Sequence, residues 1–405
     1  MLTVFEALQK IMASASPLGS HAIPVEDALS HVLVEDVRAD RPLPPFDRVA
    51  MDGFAVLSSD FQEGTARLKI VGHIQTGVAS TTEIKAGEAI QIMTGAPCPA
   101  SANAVVKIEN CEIEGDWVTL KEPKIGPGLN IAPLGEDAPA GKVLIEKNKP
   151  LTTAGIAICA SVGIEQVKVY KKPSLRIIST GSEIISPASK PLSHQIRDCN
   201  SYTLRTLSRA MGLDVTFLGI GEDNTQVLGD MIKEGLEADI LVLSGGVSMG
   251  EYDHIPSLLV ENGVEKIFHH VKVKPGKPIW FGKSKQGGYV FGLPGNPVSV
   301  QSCFRIFVDP LIKMLSGDPS PGHSYLRLEL IEDVVSKTPR EHFIPGRMEI
   351  ANGKTGIKAV PIRGSGDFSN FEVSQGLIRF PADQNLLNAG EVVDFLPWGE
   401  HWMIN

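Results

Sequence analysis

The chain has 405 residues, 42% hydrophobic and 21% charged, and 38 Lys and Arg against 47 Asp and Glu give a formal net charge of −9. At roughly 150 residues per domain this length predicts two or three domains, and the composition is ordinary globular usage, which excludes a disordered polymer, a fibrous repeat and a coiled coil. The acidic balance excludes a nucleic-acid surface spread over the whole protein, and no run of about 18 apolar residues is present to span a membrane.

Met1 to Lys10 has neither the basic stretch nor the small-residue cleavage site of a signal peptide and reads as an amphipathic helix. With Val25–Val34, whose apolar residues recur at three- and four-residue spacing, it predicts helix in residues 1–40. The run Arg41-Pro-Leu-Pro-Pro45 forbids helix and marks a crossing between domains; Lys171-Lys-Pro173 and Asp318-Pro-Ser-Pro-Gly322 mark two more. From 53 to 148, short β-like runs alternate with Gly-rich turns (Arg67–Val71, Glu88–Ile92, Ala104–Ile108, Trp117–Leu120) and predict a small β domain. Residues 152–166 read as a helix of small side chains.

From 174 the texture changes. Strand-like runs at Leu175–Ser179, Val215–Gly219, Asp239–Leu243, Gly263–Val273 and Tyr289–Leu293 alternate with helices. These open at Asn200 or Ser201, near Thr225, at Ile255 and near Pro297, the last running to Leu315. Such alternation predicts a parallel, doubly wound sheet. Tyr325–Leu330 alternates with period two and opens a β-rich C-terminal segment. The expected fold class is therefore multidomain α/β. Residues 1–42 with 141–172 form an elongated helical and linker domain, and 43–140 a β-rich domain. Residues 173–320 form the α/β domain, and 321–405 a C-terminal β domain. Cys98, Cys111, Cys159, Cys199 and Cys303 are scattered with no Cys-x-x-Cys, which predicts a reduced, cytoplasmic setting without structural zinc.

Ligands of open α/β sheets bind at the carboxyl ends of strands. The segments after the five predicted strands are Thr180-Gly-Ser-Glu183, Gly219-Ile-Gly-Glu-Asp223, Ser244-Gly-Gly-Val-Ser-Met-Gly-Glu-Tyr-Asp253, Lys274-Pro-Gly-Lys277 and Pro294-Gly-Asn-Pro297. Glycine lets backbone N–H groups approach an anion, and Lys274 and Lys277 add charge, so together the loops predict a phosphate or oxyanion cradle. Glu183, Asp223 and Asp253 fall on the same rim, where carboxylates holding Mg²⁺ beside phosphates is the usual arrangement; Asp223 also reads as a helix cap ahead of Thr225. Gly276 to Ser284 misses P-loop spacing by one residue, and no Gly-x-Gly-x-x-Gly follows a strand. Gly246-Val-Ser-Met-Gly250 matches a nucleophile elbow around Ser248, with Asp309 and His323 as later triad candidates, but lacks the strand-to-helix turn. Two further segments, Pro44–Val56 and Met93-Thr-Gly-Ala-Pro97, lie far from the α/β domain in sequence, so a partner subunit is a candidate source of them.

These residues resemble the molybdopterin molybdenumtransferases, the family of bacterial MoeA and of the E domains of gephyrin and its plant counterpart. The matching segments are Pro45–Ala55, Met93–Pro97, Ser179–Glu183, Ser244–Gly250 with Asp253, Lys274–Pro278 and Leu293–Ser299, in the family's order across nearly the whole chain. The resemblance implies Mg²⁺-assisted insertion of molybdate into adenylylated molybdopterin with release of AMP. It also implies a homodimer of four-domain subunits, molybdopterin on the α/β domain and an active site completed by the partner's second domain. Carried over residue by residue, it implies catalytic roles for Asp52, Thr94, Glu183, Asp223 and Asp253. Glu183, Asp223 and Asp253 would hold the metal. Gly245, Gly246, Ser248, Lys274, Lys277, Pro294, Gly295, Asn296 and Ser299 would contact cofactor or oxyanion. Arg363-Gly-Ser365 resembles a segment near the nucleotide side. Val49 departs from the small hydroxyl residue many members carry there, leaving Asp52 intact. The alternatives within the same pocket are adenylylation of molybdopterin by ATP, and a non-catalytic molybdopterin-binding scaffold.

Overall fold

The computed structural model describes residues 1–78, 81–221, 224–247, 254–351 and 353–399. The chain divides into two compact units, Ala22–Val167 and Met1–His21 with Lys168–Asn405. Helix α1 (Val4–Ser14) opens with a capping box in which Glu6 N donates to Thr3 Oγ1 (3.2 Å) and Thr3 N to Glu6 Oε2 (2.8 Å). It buries Val4, Ala7 and Ile11 in the core of the larger unit, and residues 1–21 group with 168–405.

The smaller unit is built on a six-stranded sheet of β1 (Gly53–Val56), β2 (Thr65–Ile74), β3 (Glu88–Ile92), β4 (Ala104–Lys107), β5 (Cys111–Glu114) and β6 (Trp117–Lys121), in the order β4-β1-β3-β2-β6-β5. Phe54, Val106 and Leu68 pack on one face and Ala55, Ile90 and Val105 on the other. Burial on both faces is why β1 is apolar throughout. Helix α2 (Thr153–Ser161) is capped by Thr152, whose Oγ1 accepts from Gly155 N at 3.1 Å. The helix expected at Val25–Val34 is absent beyond one 3₁₀ turn, Val25–Asp27. Ser30 takes φ +63°, and the backbone pairs instead with 149–151, Ser30 N donating to Leu151 O (2.8 Å) and Leu33 N to Lys149 O (3.1 Å). Ala28, Val32 and Leu33 are buried in this extended form, so periodicity alone could not choose.

In the larger unit the chain runs through β7 (Leu175–Thr180), α3 (Asn200–Ala210), β8 (Val215–Gly221), α4 (Thr225–Gly235), β9 (Ile240–Ser244), α5 (Ile255–Glu261), β10 (Val264–His269), β11 (Trp280–Ser284), β12 (Tyr289–Leu293), α6 (Pro297–Cys303) and α7 (Asp309–Leu315). The sheet order is β8-β7-β9-β12-β11-β10. The first four strands are parallel, whereas β11 runs antiparallel to both β12 and β10. Ile177, Val242 and Phe291 face one core with α1, and Ile178, Leu241 and Leu243 face another with α4 and α5, giving layers on both faces of the sheet. A second sheet follows: β13 (Leu326–Leu330), β14 (Glu341–Ala351), β15 (Lys354–Ala359), β16 (Gly376–Phe380) and β17 (Val392–Pro397). Its order is β14-β15-β13-β17-β16, and β16 pairs back onto β14.

Candidate functional site

Three strand ends of the larger unit open onto one cavity of about 330 Å³. Ser179 lies beside Ser244 in the sheet register, and Ser244 beside Leu293, so parallel strands of matched length end at one level and their loops converge. β7 brings Ser179 and Thr180 to the lining, β9 brings Ser244 with Gly245 and Gly246, and the loop after β12 brings Gly295 and Asn296. Gly245 (φ +99°) and Gly246 (φ +62°) are both left-handed. A Cβ on Gly245 would stand 2.5 Å from Thr180 O, and one on Gly246 2.6 Å from Ile255 Cδ1, so this floor admits only glycine.

Asn200 ties the strand ends together, its Nδ2 donating to Ser244 Oγ (2.9 Å) and Gly295 O (2.7 Å). That use leaves its side chain unavailable to cap the helix it opens. Asp198 caps α3 instead, Oδ1 accepting from Ser201 N (3.1 Å) while Oδ2 accepts from Ser179 Oγ (3.0 Å). Asp198 and Asn200 are among the lining residues that sequence reasoning missed. The available signal was a polar Asp-Cys-Asn run at a helix start with no turn to explain it. Between them, burial first and then the Asp198 charge push the Cys199 thiol up, which keeps it protonated.

Glu183 reaches the same cavity on the loop after β7, its Oε2 2.6 Å from where a Cβ on Gly181 would stand. Lys274, Lys277, Pro294 and Ser299 do not line it. Ser299 is buried in the first turn of α6, and Pro294 is buried after β12. Both lysines are exposed on the hairpin between β10 and β11. Because β10 runs in the same sense as β12, this hairpin turns at the same end of the sheet. Asp223, Ser248 and Asp253 lie outside the described residues. The cap considered for Asp223 is supplied by Asn224, whose Oδ1 accepts from Gln226 N (3.0 Å) and Val227 N (3.2 Å). Among the described residues no cluster of three or more His, Cys, Asp or Glu forms a metal site. Glu183 with the neighbouring hydroxyls is nonetheless a hard-oxygen donor set, which suits Mg²⁺.

On the smaller unit, Asp52 and Thr94 meet across neighbouring strands, since Gly53 pairs with Ile92. Asp52 Oδ1 accepts from Thr94 N (2.6 Å) and Thr94 Oγ1 (2.7 Å), and Thr76 Oγ1 donates to Thr94 O (2.7 Å). The backbone bond first, and the hydroxyl second, hold the Asp52 carboxyl below its usual range. The hydrolase reading is not supported: Asp309 is buried in an ion pair with Arg305, and His323 Nε2 donates to Ile306 O at 2.8 Å.

A glycine-floored cavity at the carboxyl ends of parallel strands, with the Glu183 and Asp198 carboxylates in its lining, defines a ligand-binding α/β protein. Family models narrow the class. MoeA N-terminal region (domain I and II) matches residues 2–163, "Probable molybdopterin binding domain" matches 176–314, and MoeA C-terminal region (domain IV) matches 327–398. The molybdopterin molybdenumtransferase of Synechocystis is 31% identical over 98% of this chain and 100% of its own. That of Staphylococcus aureus strain MRSA252 is 30% identical over 98% and 95%. Two crystal structures of molybdopterin biosynthesis MoeA protein from Pyrococcus horikoshii superpose with TM-scores of 0.83 and 0.80 at 28% and 30% identity, covering 98% of this chain and 100% and 99% of theirs. The chain belongs to the molybdopterin molybdenumtransferase family, transferases of molybdenum cofactor biosynthesis.

Proposed function

We propose that the chain inserts molybdate into adenylylated molybdopterin in a Mg²⁺-dependent reaction that releases AMP. The observation that carries this is the strand-end cavity, whose lining joins Glu183 to the glycine floor of Gly245 and Gly246. Glycines without side chains let a phosphate approach backbone N–H groups. Glu183, with Asp223 and Asp253, would hold Mg²⁺, which when bound neutralises charge on phosphate oxygens. Gly295 and Asn296 would contact the pterin portion, with Pro294 shaping their loop. Lys274 and Lys277, with Ser248 and Ser299, would hold the molybdate dianion, for which lysine serves as a point charge.

The reading includes a homodimer in which residues 43–140 of one subunit, carrying Asp52 and Thr94, complete the site on residues 173–320 of the other. It also includes a cytoplasmic setting. Five free cysteines accord with that setting, and among the described residues no helix is long and apolar enough to cross a membrane.

The test is AMP release from adenylylated molybdopterin, with and without Mg²⁺ and molybdate, in wild type and Glu183→Gln. Release coupled to molybdate, and slowed at least about 100-fold in the variant, is expected. Release indifferent to molybdate would leave a phosphoanhydride hydrolase. Consumption of ATP with free molybdopterin would mean the adenylylating activity, and binding without turnover a scaffold.

A further inference from the structure

One side chain ties the glycine floor of the cavity to the far edge of the sheet. In the strand order, β12 and β11 separate β9 from the edge strand β10, and β10 runs in the same sense as β9. After β9, Gly245 still pairs with the neighbouring strand, its N donating to Leu293 O at 3.0 Å. Two residues later the chain has crossed the strand ends, and Val247 O accepts from Nε2 of His269, the last residue of β10, at 3.0 Å. A carbonyl only accepts, so Nε2 carries the hydrogen. Gly292 of β12 makes room for the crossing: a Cβ there would stand 2.5 Å from Val247 Cγ1 and 3.2 Å from Trp280 Cβ. Val247 is buried in one core with Ile255 and Trp280. It is therefore held twice, by packing of its side chain and by the bond to its carbonyl. His269 also stands immediately before the hairpin of Lys274 and Lys277. The base of that hairpin is closed by His270 N donating to Ile279 O and Val271 N to Lys277 O, each at 3.0 Å. The His269 ring lies against that of His270, with centroids 3.9 Å apart. A single hydrogen bond thus joins the floor to the lysine hairpin.

We infer that His269 is a positioning residue of the cavity floor, locking Gly245 and Gly246 in register with the hairpin that carries Lys274 and Lys277. His269 does not line the cavity, so it acts through Val247 O. The inference rests on the proposed function, which puts phosphate on the glycine floor and molybdate at the hairpin.

The experiment measures three quantities: amide hydrogen exchange across Gly245–Val247, the Kd of adenylylated molybdopterin without Mg²⁺ or molybdate, and kcat and KM for AMP release. His269→Phe keeps a ring against His270 and deletes the donor. It is expected to speed exchange across 245–247 about tenfold and to raise Kd and KM by a similar factor. Because the floor binds substrate and transition state alike, kcat is expected to stay within about twofold. His269→Gln restores an N–H for Val247 O and is expected to recover most of the protection and of the affinity. Should His269→Phe fail to fold, His269→Leu, equally without a donor, carries the same comparison. Wild-type exchange and affinity in the donor-less variant, or equal losses in it and in His269→Gln, would overturn the inference and leave the reaction untouched. A wild type that binds no adenylylated molybdopterin and releases no AMP would remove the proposed function, and this role of His269 with it, whatever the exchange rates.

Discussion

Two hydrogen bonds from one residue decide the charge state of Asp52. Thr94 supplies both its backbone N–H and its hydroxyl to the same carboxylate oxygen, and both bonds favour the ionised form. The folded-state value therefore lies below the ordinary 3.8, and the associated stability is present above that pH and lost as pH falls through the folded value. Thr94→Val removes the hydroxyl and keeps the N–H, so Asp52 should titrate closer to 3.8, as read by NMR, with the fold unchanged. An unmoved titration would show that the hydroxyl bond is not held in solution. The legible site residues share a property with Asp52 and Glu183. They sit on short loops after strands or on Gly- and Pro-rich turns, where a charged or hydroxyl residue has little packing reason to be. Asp198 and Asn200 were not legible, because their partners, Ser179, Ser244 and Gly295, lie 19, 44 and 95 positions away. Only the strand register brings those atoms together.

At the scale of elements, the segment from Pro297 to Leu315 shows how one residue reshapes a helix. Pro310 has no N–H for Ile306 O, and its ring crowds that carbonyl. The chain between α6 and α7 widens into a π-helical turn, Phe304–Val308, and His323 Nε2 donates to the freed oxygen at 2.8 Å. That bond assigns the tautomer, leaving Nδ1 to accept from Tyr325 OH at 3.1 Å. Burial above all, then the charges of Arg305, Lys313 and Arg379, lower His323 from 6.5 to about 4. His342 is lowered to about 4 by burial, Lys274 and Arg340. Both folded values lie below the unfolded one, so their stabilisation is present above about pH 6.5 and lost as pH falls toward 4. Each histidine should cost about 2–3 kcal/mol of unfolding free energy between pH 7 and 4.5. Urea titrations across that range should show the fall, and His323→Gln, which can still donate to Ile306 O, should flatten it. An equal slope in the variant would place the acid sensitivity elsewhere. Periodicity foresaw this helix but not its π turn, which depends on a histidine 17 residues from the carbonyl it satisfies. It likewise missed β11, whose Trp280, Phe281 and Ser284 are buried; a strand in an antiparallel pair at the sheet's edge breaks the strand–helix alternation used to find the others.

At the scale of the molecule, the implied machinery is distributed over two compact units, Asp52 and Thr94 on Ala22–Val167 and the Glu183 cavity on the other. Sequence texture located the change from β to α/β near residue 174, because it rests on local period and on proline punctuation. The placement of α1 was not legible, since its apolar stripe of Val4, Ala7 and Ile11 fits any core and is committed only by burial in one core with Leu175, Phe281 and their neighbours. The proposed subunit sharing would be equally non-local, and it makes a quantitative demand. If Asp52 of one subunit serves Glu183 of its partner, each Asp52→Asn and Glu183→Gln homodimer is inactive. A hybrid dimer then holds one site with both residues intact and one with both replaced. Random reassortment of equal amounts makes half of the dimers hybrid, so the mixture should recover about a quarter of wild-type AMP release, growing in as subunits exchange. If Asp52 and Glu183 of the same chain form each site, every site in the mixture carries one substitution and recovery is nil. A control mixing Glu183→Gln with Lys274→Ala, both on the α/β side, should recover no activity beyond that of the parent variants in the shared arrangement, since every site then lacks one of the two residues.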